Sequence, residues 1–592
     1  MATNDKLITD LMKDIKAGKI QLPDFQRDWI WDDNRIRGLI ASITRGFPIG
    51  AVMFLQFGNE SIRFKYRTLA SVPPVDNTPD ALVLDGQQRL TSIYVAMCND
   101  QPVHTRTEKG EEIEQYYYID IAKALNPSID RMEAIISVPK TKKITSDFGR
   151  KIELDVTSKE KEYQQKLFPL NIILNSDKSF QWEQGYTTYH QNRQEIFQEY
   201  MAFRREVLGP VNNYQIPVIS LSKETPKEAV CQVFENVNQG GVSLTVFELV
   251  TASFAMSDDD FKLRDDWEKR KKNYFNGDLL SIITATDFLM ACTLLASYQR
   301  GGAVSCKRKD VLNLTLEDYK KYADSLTQGF VEAEMLLQEE RIFVYRDLPY
   351  TTQIIPLAVL CTLLNKDSLI KTSTVKNKIK QWYWCGVLGE LYGGANETRY
   401  VNDVIGVMDW VLNDKEAPKT VQEAYFNPTR LLTLQSRQSA AYKGIMALIM
   451  KNHSKDFISG QEMDFANYKS ANIDIHHIFP QNYCKNKGYD KQKWNSIINK
   501  TPLSYSTNRE IGGVAPSQYL AKLEKKGKVR PEELPGYLES HWISNDDCRS
   551  DDFDQFIVHR AGKLLDAVSA AMGKPVVGRD SEEVRERFGE AL

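Results

Sequence analysis

Apolar residues at Leu7, Ile8, Leu11 and Ile15 recur at helical spacing, which predicts a helix over 4–16. The run Ala81-Leu82-Val83-Leu84 stops at Asp85-Gly86, and apolar residues then recur at Leu90, Ile93, Tyr94 and Met97. Asp85 to Arg89 is therefore expected on a strand-to-helix turn. Residues 105–200 are polar, aromatic and irregular, with a strand expected over 116–121 and a helix over 192–207. Gln215 to Leu221 reads as a strand, followed by a helix over 226–237. From about 245 to 450 the pattern is helical, near 245–256, 280–298, 316–340, 352–364, 375–390, 400–412 and 438–452, with no fixed-period repeat. A segment over 470–521 is rich in His, Asn and Lys, and a helical tail follows. These patterns predict a mostly helical α+β protein with three domains, 1–245, 246–454 and 455–592.

Composition narrows the class. The 592 residues are 42% hydrophobic and 26% charged, which excludes a largely disordered, collagen-like or fibrous chain. The net charge is −3, so a nucleic-acid binder would need a local basic patch. Residues 485–530 supply one, with eleven Lys/Arg against three acids. The longest apolar stretch, Ile354 to Leu364, is about half of the ~20 residues that a membrane span needs. The first twenty residues alternate acid and base without an apolar core, so no secretory peptide is read. Eight scattered Cys without CxxC spacing predict reduced thiols in a cytoplasmic protein, with neither a disulfide framework nor a zinc ribbon.

Candidate chemistry lies in two places. Asp474-Ile475-His476-His477-Ile478-Phe479-Pro480 holds two of only seven His, and Asn495, Asn499 and Asn508 follow. One imidazole as general base, with a second imidazole and an amide oxygen on a divalent ion, is a set of groups able to hydrolyse a phosphodiester. A strand ending at His477, a loop and a helix beginning near Asn508 would gather these groups around one ion. Near the N-terminus stand Gln21-Leu22-Pro23-Asp24-Phe25-Gln26-Arg27-Asp28-Trp29-Ile30-Trp31 and Leu84-Asp85-Gly86-Gln87-Gln88-Arg89-Leu90-Thr91-Ser92. A Gly at a sharp turn before a helix N-terminus attracts anions. Arg89, with Arg27 as a second candidate, could clamp a phosphate, and Asp85 could hold a metal or a ribose hydroxyl. No GxxxxGK[ST] occurs, so any nucleotide use is not of P-loop type.

His477-Ile478-Phe479-Pro480, with Asn499 and Asn508 downstream, resembles the HNH (ββα-metal) nucleases. The resemblance implies His477 as general base, Asn508 as metal ligand and Asn499 as the residue bracing the loop. His476 stands where many such enzymes carry a metal-binding Asp, so the first ligand is His476, Asp474 or both. Asn508-Arg509-Glu510-Ile511 to Pro516-Ser517-Gln518-Tyr519-Leu520 resembles the C-terminal nuclease domain of GmrSD-type restriction enzymes. The two N-terminal motifs resemble the ParB/sulfiredoxin-like N-terminal domain of the same family. Phe234 to Leu244 resembles a third family element, whose Asn236, Asn238 and Gln239 could line the same pocket.

The family resemblance implies a type IV, modification-dependent DNA endonuclease in anti-phage defence. Its expected substrate is double-stranded phage DNA bearing hydroxymethyl- or glucosyl-cytosine, and its expected metal Mg²⁺ or Mn²⁺. A nucleoside triphosphate is expected at Asp85, Gly86, Gln87, Gln88 and Arg89 with Gln26 and Arg27. A homodimer is among the arrangements that relatives suggest. A BrxU-like protein fits this reading. The alternatives are an SspE-like, phosphorothioate-sensing NTPase that nicks DNA, and a nucleotide-controlled DNA-binding switch with a vestigial nuclease. In the helical middle, Trp382-Tyr383-Trp384 and Tyr392 are read as core rather than as base-stacking surfaces.

Overall fold

The structure is a computed structural model that describes residues 2–24, 26, 28–58, 65–146, 151–226, 229–230, 246–258, 260–366, 368–470 and 473–592. The chain is mixed and about 54% helical, consistent with the α+β expectation. It forms two compact units, Met1–Lys262 and Leu263–Leu592, and the boundary expected near 454 falls inside the second.

The first unit begins with β1 (Ala2–Leu7), α1 (Ile8–Lys16), β2 (Ile20–Pro23), α2 (Asp33–Thr44), β3 (Val52–Gln56), β4 (Tyr66–Arg67), β5 (Ala81–Asp85) and α3 (Gln87–Met97). Residues 4–7, expected as helix, are strand. They pair antiparallel with the later Gln215–Leu221, Asn4 opposite Val218, so a distant ladder takes the backbone groups that a helix would have used. The helix starts at Ile8 and buries Ile8, Leu11, Met12 and Ile15.

β5 lies between β3 and β2 in a six-stranded mixed sheet, which explains its unbroken apolar run: Leu82, Val83 and Leu84 are all buried. The run ends where Gly86 takes φ 95°. A Cβ there would meet Val52 Cγ1 at 2.6 Å, so only glycine fits this turn.

A smaller sheet follows, built from β6 (Val103–Arg106), β7 (Glu112–Asp120) and β8 (Ile135–Pro139). The hairpin of β9 (Lys143–Ser146) and β10 (Lys151–Asp155) and helix α4 (Lys159–Gln165) come next. β11 (Leu167–Pro169) then joins β7, α5 (Ser176–Tyr189) follows, and β12 (Gln215–Leu221) returns to the large sheet between β1 and β3. Trp182 of α5 stacks on Tyr186 at 5.0 Å and meets Phe168 edge-on, forming an aromatic floor under the small sheet. The helix expected over 226–237 lies almost wholly outside the described residues.

The second unit packs α6 (Ala285–Arg300), α7 (Leu316–Glu339), α8 (Ile354–Asn365), α9 (Ser373–Leu388), α10 (Glu397–Leu412) and α11 (Ala440–Lys451). α8 packs against α6, α7 and α10, and its apolar residues are buried all round. Trp382, Tyr383 and Trp384 are also core. β13 (Ile473–His477) and β14 (Lys500–Ser504) form an antiparallel pair that leads into α12 (Tyr505–Ile511), and α13 (Pro516–Lys525) and α14 (Phe553–Met572) follow. α14 packs back on α9, which makes the tail part of the same unit as the middle helices. Among the described residues no helix is long and apolar enough to cross a membrane. The seven described cysteines are free thiols.

Candidate functional site

On β13, Asp474 and His476 alternate onto one face of the strand, and both reach α12. His476 Nδ1 lies 2.8 Å from Asn508 Oδ1, and Asn508 Nδ2 donates to Asp474 Oδ2 at 2.7 Å. A carboxylate only accepts, so Asp474 sets which way the Asn508 amide points. Its oxygen is thereby turned to the imidazole. His477, next on the strand, places Nε2 3.2 Å from Asn495 Oδ1. With that oxygen accepting from Nε2–H, the Nδ1 lone pair is left to take a proton.

The loop after β13 is fixed by Asn499, which is fully buried. Its amide nitrogen donates to the carbonyls of Phe479 and Trp494, both at 2.8 Å, and its oxygen accepts from Phe479 N at 2.8 Å. Tyr519 of α13 donates to the Ile478 carbonyl at 3.0 Å and stands edge-on to the His476 ring.

Asn495, named from the sequence without a role, is the residue that contacts His477. Sequence reasoning missed three supporting residues. Asp456 accepts from Ser504 N at 3.0 Å and from Thr507 Oγ1 at 2.6 Å, tying down the turn from β14 into α12. Arg560 of α14 is buried and donates to the carbonyls of Ile498, Lys500 and His541. His541 in turn contacts Thr501 Oγ1 and the Lys455 carbonyl. Their partners are mostly backbone groups dozens of positions away, so no local pattern marks them.

Burial keeps both imidazoles of the motif neutral. It pushes His476 down to about 4, partly opposed by the bond to Asn508. It also lowers His477, with Asn495 opposing and the nearby Lys500 ammonium adding to the effect. Lys500 stands opposite His477 in the strand pair, and burial pushes it down to about 8. Its ammonium donates to the Gln435 carbonyl at 2.7 Å.

The donor set fits a divalent ion held by two protein atoms and water. Two adjacent ligands on an octahedral ion, each ~2.0–2.1 Å from it, stand about 3 Å apart, and His476 Nδ1 and Asn508 Oδ1 are separated by 2.8 Å. The Asn508 oxygen accepts from Nδ1–H of His476, whose Nε2 is buried without a hydrogen bond, so a metal at Nδ1 requires the ring proton to move to Nε2. Among the described residues no group of three or more His, Cys, Asp or Glu could hold a metal ion.

The two N-terminal motifs meet on the β5–α3 turn. Gln26 Nε2 donates to the Val83 carbonyl at 2.6 Å, two residues before Asp85 on β5. Gln88 Oε1 accepts from Ile30 N at 3.0 Å and its Nε2 donates to the Asp28 carbonyl at 3.3 Å. Trp29 Nε1 donates to Ser92 Oγ at 3.0 Å. Arg89 uses its fork inside the protein: Nη1 donates to the Ile49 carbonyl at 2.7 Å, and Nη2 to the Ala51 carbonyl at 2.8 Å and Asp85 Oδ2 at 2.9 Å. Gly86 and Gln87 begin the helix. Arg27 and the segment Phe234 to Leu244 lie outside the described residues.

The basic run of the second unit is partly compensated. Lys526 pairs with Glu510 at 2.7 Å, Lys522 with the same carboxylate at 3.5 Å, and Lys493 with Asp554 at 3.6 Å. Such exposed pairs are weak and rearrange at little cost when phosphates compete.

An uncharacterized protein of Methanocaldococcus jannaschii, MJ0686, is 27% identical over 615 aligned positions that cover 96% of this chain and 99% of the relative. Residues 8–255 match the family model described as GmrSD restriction endonuclease, N-terminal domain. Over that span, which contains both N-terminal motifs, the chain is similar to the N-terminal domain of GmrSD restriction endonucleases.

Proposed function

We propose that the chain is a modification-dependent DNA endonuclease of HNH type that hydrolyses phosphodiesters of phage DNA. The observation that carries the reading is the chain of contacts Asp474–Asn508–His476 beside a neutral His477 on one strand-strand-helix element. The match of residues 8–255 to a restriction-endonuclease domain supports DNA as the partner.

In this reading His476 and Asn508 would hold Mg²⁺ or Mn²⁺, and Asp474 orients Asn508. When bound, the ion would supply charge stabilisation at the scissile phosphate and the leaving oxygen. His477 takes a proton from water at Nδ1 while Asn495 holds the ring by Nε2. Asn499, Asp456 and Arg560 keep the loop and the two elements in register. The Asp85–Arg89 turn, with Gln26, Gln88 and Arg27, is the proposed seat of a nucleotide that regulates cleavage. The proposed protein works in the cytoplasm, where phage DNA is met, and a dimer is one way for nucleotide to gate it.

The test is a cleavage assay with Mg²⁺ or Mn²⁺, with and without nucleoside triphosphate. It compares unmodified DNA, hydroxymethyl- or glucosyl-cytosine DNA and phosphorothioate DNA, for wild type and His477→Ala. Cleavage of base-modified DNA that His477→Ala abolishes is expected. A response to phosphorothioate DNA alone would replace the substrate, and equal inertness of both proteins on every DNA would remove the nuclease reading.

A further inference from the structure

The first unit holds a cavity that neither N-terminal motif uses. β8 covers Gln115–Ile119 on one edge of β7. On the other edge, β6 ends at the Val103–Gln115 pair and β11 begins at the Pro169–Tyr118 pair. Tyr116 and Tyr117 therefore have no described strand beside them on that edge, and a cavity of about 540 Å³ opens there. That volume lies within the ~300–1,000 Å³ typical of small-molecule sites.

The lining states what would fill it. Gln115 faces the cavity, and its carboxamide oxygen is buried without accepting a hydrogen bond. A buried acceptor left unmade is unfavourable, so a ligand bringing an N–H donor recovers that loss once the Gln115 side chain turns to it. Lys142 and Lys159 stand at the wall, and the Lys142 ammonium is held 5.0 Å over the Tyr116 ring. Lys178 already pairs with Asp100 at 3.0 Å. Glu162 beneath accepts from Tyr118 Oη at 3.3 Å and from Trp182 Nε1 at 3.2 Å, and Lys142 and Lys159 are the cations that act on its carboxyl, so a phosphate would share these two lysines with it. A planar group with N–H donors on its edge and an anion attached meets each of these features.

We propose that this cavity binds one nucleotide, its base edge donating to Gln115 and its phosphate lying among Lys142 and Lys159. The seat differs from the Asp85–Arg89 turn. α3 begins at that turn, whereas Val95 and Ala96 near its other end line the cavity. A free nucleotide and a nucleotide extruded from a DNA strand present the same groups, and only the second source rests on the DNA-cleavage reading.

The full chain is titrated with deoxynucleoside monophosphates and with oligonucleotides carrying 2-aminopurine, as wild type, Gln115→Leu and Lys142→Ala/Lys159→Ala. The expected result is a loss of at least about tenfold in affinity in both variants, the size of one hydrogen bond or charge contact removed. The unfolding midpoint should stay near that of wild type. A loss seen with monophosphates assigns the free nucleotide. A loss confined to oligonucleotides, with disappearance of the 2-aminopurine fluorescence rise, assigns an extruded one. Equal affinity of all three proteins for every probe overturns the site, and so does a wild type that binds no probe. Wild-type cleavage of DNA is measured alongside: if it persists unchanged in both variants while binding is equal, the cavity proposal fails and the endonuclease reading stands.

Discussion

Asn508 presents its amide oxygen to His476 Nδ1 at 2.8 Å because its amide nitrogen is held by Asp474. Replacing Asp474 with Ala frees the amide to turn, without touching either proposed ligand. Loss of such an outer contact typically costs ~10–100-fold in metal affinity. Titration of Mn²⁺ into wild type and Asp474→Ala is expected to show a drop of that size, with the fold intact by circular dichroism. An unchanged affinity would remove Asp474 from the site.

An imidazole at position 476, as a proposed ligand, should bias the site toward softer ions than a carboxylate would. Imidazole nitrogen favours the later first-row metals over Mg²⁺, whereas carboxylate oxygen favours Mg²⁺. His476→Asp is therefore expected to raise Mg²⁺ affinity relative to Mn²⁺ or Co²⁺, read by calorimetry with each ion. The same ratio in both proteins would mean that His476 does not touch the metal.

Asn499 is held by three 2.8 Å bonds in a fully buried place. An Asp there would set a carboxylate oxygen against the carbonyls of Phe479 and Trp494 in place of two N–H donors. Asn499→Asp is expected to destabilise the second unit by about 3 kcal/mol or more, measured by urea unfolding. A loss below about 1 kcal/mol would show that the loop relaxes around it.

The sequence makes some of this arrangement legible and not the rest, for physical reasons. The turn at Asp85-Gly86 is marked locally, because a buried central strand needs an unbroken apolar run and the turn needs a glycine. The strand Gln215–Leu221 is marked by its own alternation. The start of the chain is not: Leu7, Ile8, Leu11 and Ile15 fit a helix from residue 4, and only the ladder with β12 converts residues 4–7 to strand. At the candidate site, motif spacing brings His476 and Asn508 into view together. Arg560 and Asp456 stay hidden, because what they hold is mostly backbone at 498, 500, 504 and 541. Arg89 looks like a free clamp in sequence, yet loop carbonyls that no pattern places beside it take its donors.

Acid should weaken the second unit through His541. Burial pushes this imidazole from 6.5 down to about 3, with the bond to the Lys455 carbonyl partly opposing. Between those two values the unfolded chain binds a proton that the folded chain does not. The stability that His541 contributes is therefore complete above pH ~6.5 and declines as the pH falls through the window below it. At pH 4.5 the loss is about 2–3 kcal/mol for this one group. His476, pushed down to about 4, acts with the same sign. Urea midpoints measured from pH 7.5 to 4.5 should fall, and His541→Gln should flatten the slope. A slope unchanged by the substitution would assign the acid sensitivity elsewhere.

Arg89 offers the sharpest test of the N-terminal turn, because its two roles predict different outcomes. As a brace it ties the carbonyls of Ile49 and Ala51 to Asp85 through bonds of 2.7–2.9 Å. A lysine lacks the planar fork that meets these acceptors from two separate nitrogens, so Arg89→Lys should cost roughly 1–3 kcal/mol in the first unit. Gly50→Ala probes the same contact from the other side. Its Cβ would stand 2.5 Å from Arg89 Nη1, at a residue with φ 88°, so the guanidinium is displaced while its charge is kept. Both variants are expected to lower the unfolding midpoint, and to lower nucleoside triphosphate affinity only as far as the turn is disturbed. If Arg89→Lys leaves stability unchanged yet abolishes nucleotide binding, the guanidinium is a ligand contact and the internal bonds give way to phosphate. If stability falls and binding survives in the folded fraction, Arg89 is a brace and the nucleotide is held by other groups of the turn.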